Sequence, residues 1–225
     1  MTWMNSLSAL FWVAMIGALL FASAGTLDWV HGWVFLAEFV AGAAAITVWL
    51  ARHDPGLLKE RMSGAIQKGQ AFWDRVFMSF MLVFWYGWLV LMGLDAKRWH
   101  LSHMPVALNV AGAVLIPVGY YAVWRVFRAN SFAAPVIRIQ DERGQHVIDT
   151  GPYAIVRHPM YACAMLYLLG MPLLLGSWLG LAVVPVFLAA LCARIFIEEA
   201  TLRSGIAGYD EYAARVRYRL IPGVW

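Results

Sequence analysis

Charge is the scarcest ingredient of this sequence. Asp, Glu, Lys and Arg make up 13% of its 225 residues, while 62% are hydrophobic. A soluble domain carries about 25% charged and roughly 45–50% apolar residues, so a conventional water-facing surface is excluded. The charges are also segregated. Residues 1–27, 76–94 and 160–193 contain no Asp, Glu, Lys or Arg, and a hydrocarbon core of about 30 Å is crossed by roughly 20 helical residues. Cysteine is nearly absent. Cys163 and Cys192, both in apolar runs, make neither a disulfide framework nor a metal-ligand pattern, so no metal site is expected. The first 24 residues carry no Lys or Arg. A secretory signal wants a positive leading region and a small-residue cleavage site, so residues 7–24 read as a retained span.

What is present is long hydrophobic runs. Six apolar segments cover roughly 7–26, 33–51, 76–94, 105–124, 160–176 and 179–197. None alternates apolar and polar residues as a membrane strand would, and a lipid-exposed backbone must satisfy its own hydrogen bonds. The expected fold is therefore all-α: a polytopic bundle of about six transmembrane helices in one membrane domain, 1–225. Residues 1–125 would hold four N-terminal helices. Residues 126–225 would hold a polar loop, a helical hairpin and an amphipathic C-terminal tail. Gly170 and Pro172 in the short fifth segment predict a kink or tilt, and five full spans plus one half-inserted helix is the alternative count.

The net charge of +4 reads as basic loops against anionic lipid, not as a nucleic-acid surface. The second loop (52–75), the fourth loop (125–159) and the C-terminal region together hold every Lys and Arg except Lys97 and Arg98. Six spans put those regions and both termini on one side, which the positive-inside rule makes the cytoplasm. Trp29, Trp33, Trp73, Trp99, Trp124 and Trp178 sit near segment ends, as an interfacial aromatic belt would.

Candidate chemistry concentrates after residue 125. The fourth loop ends in Asp149-Thr150-Gly151-Pro152-Tyr153-Ala154-Ile155-Val156-Arg157-His158-Pro159-Met160-Tyr161. Pro159 suits the first turn of a helix, so Arg157 and His158 sit at a helix N-terminus, where an anion is favoured. A positive-inside anchor accounts for the same residues. Arg194 and Glu198, four apart, share a helix face with Glu199 beside them. The plain reading is an intrahelical ion pair leaving the membrane. The tail, with Tyr209, Tyr212, Arg215, Arg217, Arg219 and Ile221-Pro222, is expected to lie on anionic lipid.

Gly151-Pro152-Tyr153 with Arg157-His158-Pro159-Met160-Tyr161, then an apolar hairpin, Glu198-Glu199, Leu202, Tyr209, Tyr212 and Ile221-Pro222, resembles the isoprenylcysteine carboxyl methyltransferase family. That family includes phospholipid methyltransferase-like proteins. The likeness covers about residues 136–225, and Pro55-Gly56-Leu57-Leu58 with Glu60-Arg61 also looks like bacterial members. It departs at Cys163, where a Gly is common, at Gln145 and His146, and at Gly205-Ile206-Ala207-Gly208. The resemblance implies an S-adenosylmethionine-dependent enzyme of the bacterial inner membrane, multi-pass, with a cytoplasmic site. It implies cofactor contacts at Gln140, Gln145, His146, Val147, Ile148, Tyr153, His158, Pro159, Met160, Tyr161, Glu198 and Glu199, and Arg194 beside the acceptor as the catalytic and substrate-binding residue.

A carboxylate is already nucleophilic at neutral pH and needs only a cation to orient it, which Arg194 fits. The first expectation is carboxyl O-methylation of a lipid-like or prenyl-like acceptor reaching the site from the bilayer. A phospholipid amine or a small-molecule thiol is the alternative. It would need a base such as Glu198, Glu199 or His158. A transporter or scaffold is the third reading, and a sterol-reductase-like enzyme an outsider. Transporters commonly show internal repeats and ionisable groups at mid-membrane. No repeat is visible, and Glu38, the one acidic residue inside a span, lies near its outer end. Oligomeric state is not legible.

Overall fold

The computed structural model describes the backbone of residues 3–225 other than Ala65 and Lys68, and side chains from Phe11 onward apart from those two. Lys68, one of the basic residues of the second loop, therefore lies outside the described residues. Every long element is helical, and no strand occurs among the described residues. The elements are α1 (Trp3–Ala24), α2 (Val30–His53), α3 (Pro55–Met62), α4 (Phe72–Gly93), α5 (Val106–Ala129), α6 (Pro159–Leu175), α7 (Trp178–Gly205) and α8 (Tyr209–Arg215), with a π-helical turn at Leu94–Arg98. Helices α2 and α5, α4 with its π-helical turn, and α7 are long and apolar enough to cross a membrane, while α6 and residues Phe11–Ala24 of α1 are shorter apolar helices. The six expected segments thus each become a helix. The sixth runs on: α7 ends at Gly205 rather than near 197, so Glu198 and Glu199 lie inside a helix instead of at its end.

Local chemistry explains the boundaries. Asp54 caps α3 by accepting from the Leu57 N–H at 2.9 Å, and Pro55 opens that helix, where its missing N–H costs nothing. Between α6 and α7 the chain turns on Gly176, at φ +78°, a left-handed value that glycine adopts without strain. The Pro172 carbonyl accepts from the N–H groups of Gly176 and Ser177. The Ser177 hydroxyl then accepts from Gly180 N–H at 2.8 Å and starts α7.

The chain divides into two compact units that interleave along the sequence. Residues 1–45, 83–118 and 167–185 form the first. Its core holds Leu20, Phe35, Leu89, Met92, Ile116 and Met171, all fully buried. Buried polar contacts bind it. Asp95 accepts from Ser102 and Ser177 hydroxyls and from Leu179 N–H, Trp88 donates to Gly180 O, and Asn109 to Leu173 O. A Cβ on Gly112 would lie 2.2 Å from Leu174 N, so α5 and α6 approach at a residue that has to be small. One carboxylate oxygen of Glu38 is buried without a hydrogen-bond partner among the described residues.

Residues 46–82, 119–166 and 186–225 form the second unit. It takes in every Lys and Arg except Lys97 and Arg98. Three buried clusters organise it, around Leu50, Leu57 and Phe127, around Ile206, Tyr209 and Tyr212, and around Tyr161, Ile195 and Leu220. In the tail, Tyr209, Tyr212, Val216 and Leu220 are buried within the unit, while Arg215, Arg217, Tyr218 and Val224 are exposed.

Candidate functional site

A hub of charge sits where α6 begins. The Glu199 carboxylate, 4% exposed, accepts from Arg157 Nε at 2.7 Å, lies 3.2 Å from His158 Nε2, and accepts from Arg219 at 3.2 Å. The anion expected at the mouth of α6 is therefore supplied by the chain itself. Arg157 also donates to the carbonyls of Ala213, Val216 and Arg217, and the N–H groups of Arg157 and His158 donate to Tyr218 O and Arg219 O. This hub clamps the tail against the start of α6.

Next to the hub is a cavity of about 100 Å³, walled by residues 130–138, residues 145–148, Tyr153, the first turns of α6, the last turns of α7 and α8. Of the residues expected to hold a cofactor, Gln145, His146, Val147, Ile148, Tyr153, His158, Met160, Tyr161 and Glu198 line it. Three do not. Gln140 is buried behind the wall, its side chain bonded to Phe132 O and Arg143. Pro159 is buried at the start of α6, and Glu199 is taken up by the hub. Arg194, expected beside the acceptor, does not line the cavity either. It does not pair with Glu198, as the four-residue spacing suggested, but with Asp74: Nε donates to Asp74 Oδ1 at 2.9 Å, one Nη to the Tyr161 hydroxyl at 2.8 Å, and the other to Pro135 O at 2.7 Å. The reason is reach. α4 and residues 135–137 of the loop bring acceptors to the buried guanidinium that the helix spacing alone does not reveal.

The lining is aromatic, and its one carboxylate, Glu198, sits among arginines that are paired with other acids. Arg138 is neutralised by Glu60 and Glu142, both at 2.7 Å, and Arg157 by Glu199. Glu198 accepts a 2.6 Å bond from the Tyr161 hydroxyl and lies 3.8 Å from His158 Nδ1. It faces Tyr153, Tyr161, Tyr209 and Tyr212 in the same lining. Burial pushes the phenols of Tyr153, Tyr209 and Tyr212 above the ordinary value of 10.0, so they remain neutral donors. The Tyr209 hydroxyl and Arg138 Nε are buried without a hydrogen-bond partner among the described residues. Unsatisfied buried donors are uncommon in native structures, and two in one lining point to a ligand with acceptors to offer.

Residues 108–205 match the model of the phospholipid methyltransferase family. The match covers less than half of the chain and, with the apolar helices, makes it similar to membrane methyltransferases of that family. No curated protein matches it significantly. The methyltransferase match spans α5 to α7 and so includes the cavity wall from Asn130 to Leu202. Ile206, Tyr209 and Tyr212, which complete the cavity, lie beyond it. Tyr209 and Tyr212 were visible in the sequence as a tyrosine pair, without a role. Asp74 had no signal, since a lone acid at the start of an apolar segment looks like an interfacial residue. Asn130, whose amide donates to the Tyr153 hydroxyl at 2.8 Å, had none either.

Proposed function

We propose that this protein transfers a methyl group from S-adenosylmethionine to an amphipathic acceptor supplied by the membrane. The observation that carries the proposal is the pairing of Glu198, a carboxylate in no ion pair with a guanidinium among the described residues, with four tyrosines in a single cavity. A sulfonium cofactor bearing an ammonium group is cationic, and carboxylates and aromatic faces both favour a cation. When bound, the cofactor supplies the electrophilic methyl group. Glu198, Tyr153, Tyr161 and Tyr209 would hold it, with residues 145–148 along its flank. The orphan donors on Tyr209 and Arg138 fit a ligand rich in oxygen and nitrogen acceptors. At about 100 Å³ the cavity is smaller than the roughly 300–1,000 Å³ of typical small-molecule sites, so admission requires a wall to give. α8 is one such wall, tied down by Tyr212 to Tyr153 O at 2.9 Å, by Arg157 to Ala213 O at 3.3 Å and by the exposed Arg215–Asp149 and Arg203–Asp210 pairs.

The expectation of a carboxylate acceptor rested on Arg194. Its three nitrogens are all engaged and the residue is 6% exposed, which removes the free two-pronged cation such an acceptor would need. An amine or sulfur acceptor is the better reading, with Glu198 or His158 positioned to take its proton, and the phospholipid methyltransferase match supports an amine. Orientation with the basic loops in the cytoplasm, where the cofactor is made, belongs to the same proposal. Incubating the membrane-reconstituted protein with lipid extract and methyl-labelled cofactor tests it. Label that survives alkali marks an amine or thioether. Label released by alkali as methanol marks a methyl ester and restores the carboxylate reading.

A further inference from the structure

Asp74 is a buried acid, 1% exposed, outside the family match and outside the cavity lining. Both of its oxygens are used. Oδ1 takes Arg194 Nε at 2.9 Å; Oδ2 takes Ile137 N–H at 2.8 Å and Gln70 Nε2 at 2.7 Å. A guanidinium is a rigid planar fork. Once Nε is fixed by Asp74, one Nη is aimed at Pro135 O and the other at the Tyr161 hydroxyl. Two consequences follow at the cavity. The wall is gripped at Pro135 O by Arg194 and at Ile137 N–H by Asp74, on either side of Val136, and both Val136 and Ile137 line the cavity. The second consequence is directional. Arginine has no acceptor, so it must donate to the Tyr161 oxygen. The single phenol proton is then free to go to Glu198 Oε2, 2.6 Å away.

We propose that Asp74 is a positioning residue of the methyl-transfer site, acting through Arg194 to fix the 135–137 wall and to point the Tyr161 hydroxyl at Glu198. Arg194 belongs to this relay and does not grip the acceptor. The inference rests on the cofactor reading of the cavity. In Asp74→Asn one amide face becomes a donor that opposes either Ile137 N–H or Arg194, so the relay loses its anchor at nearly constant volume. Tyr161→Phe cuts the same relay at its far end.

The test is calorimetry with S-adenosylhomocysteine on the full chain in lipid nanodiscs, with thermal unfolding recorded for each variant. Asp74→Asn and Tyr161→Phe should each weaken binding about 10- to 100-fold, the loss expected for a bond to a charged group. The double variant should be no weaker than the worse single one, because both cut one pathway. Losses that multiply in the double variant overturn the relay, since independent structural damage behaves that way. Arg194→Lys gives an arm that does not depend on Asn at position 74 folding. A lysine has its three donors on one nitrogen and cannot spread them over the fork that Asp74, Tyr161 and Pro135 occupy, so it should weaken S-adenosylhomocysteine binding as Tyr161→Phe does. Wild-type cofactor affinity in Arg194→Lys with lost turnover would place Arg194 on the acceptor and refute the proposal. A wild-type protein that binds no S-adenosylhomocysteine refutes the cofactor reading itself, and is told apart because no variant is then needed.

Discussion

Replacing Arg157 by alanine should release the C-terminal tail. Arg157 is 8% exposed and serves four acceptors: the Glu199 carboxylate and the carbonyls of Ala213, Val216 and Arg217. Breaking a buried ion pair by removing one partner costs about 3–5 kcal/mol, because the remaining charge stays buried. Glu199 keeps Arg219 and His158, which argues for the lower figure, about 3 kcal/mol. Those four bonds join the start of α6 and α7 to the tail, so the cost should fall on opening of residues 209–225 and not on the whole bundle. A loss of about 3 kcal/mol is about a 150-fold loss of hydrogen-exchange protection. The assay is exchange mass spectrometry on the reconstituted protein. Peptides from 209–225 should exchange about 150-fold faster, while peptides from 83–118 stay as in the wild type. Protection in 209–225 within threefold of the wild type would refute the view that the Glu199 hub holds the tail.

Three further outcomes are expected. Gly112→Ala should lower thermal stability, since its methyl would lie 2.2 Å from Leu174 N and overpacking costs about 1–3 kcal/mol; an unchanged melting temperature would contradict the close approach. Stability should fall as pH rises above about 10. The unfolded chain then loses its phenolic protons while Tyr153, Tyr209 and Tyr212, raised by burial, keep theirs; replacing Tyr212 with phenylalanine should blunt the decline, and an equal decline would count against the assignment. A cysteine at exposed Leu101 should label from outside intact cells and one at Gln145 should not; the reverse pattern would overturn the proposed orientation.

The fold was largely legible because lipid imposes a strict rule: an apolar run long enough to cross must be a helix. Each of the six runs became one, with the α6–α7 turn at Gly176 and Ser177 where the short linker placed it. The end of α7 was not legible, since the charges from Arg194 onward look like an exit from the membrane, yet three of them are buried or half-buried against partners from elsewhere in the chain. Composition says what a residue costs to bury and not who satisfies it. The same limit hid the partner of Arg194. A four-residue spacing offered Glu198, but Asp74, 120 positions away, took the bond. The motif around Arg157 to Tyr161 was readable as a candidate site, while the division of labour beside it was not: Glu198 toward the cavity and Glu199 toward the tail depend on which side of α7 each faces.

The central claim is that the Glu198 cavity binds the methyl donor. Titration calorimetry of the wild-type protein in nanodiscs with S-adenosylhomocysteine, set beside Glu198→Ala, tests it most directly. The account predicts one-to-one binding that weakens about 10- to 100-fold in the variant, the loss of a bond to a charged group. Undiminished affinity in Glu198→Ala, or no heat of binding in the wild type, would contradict it.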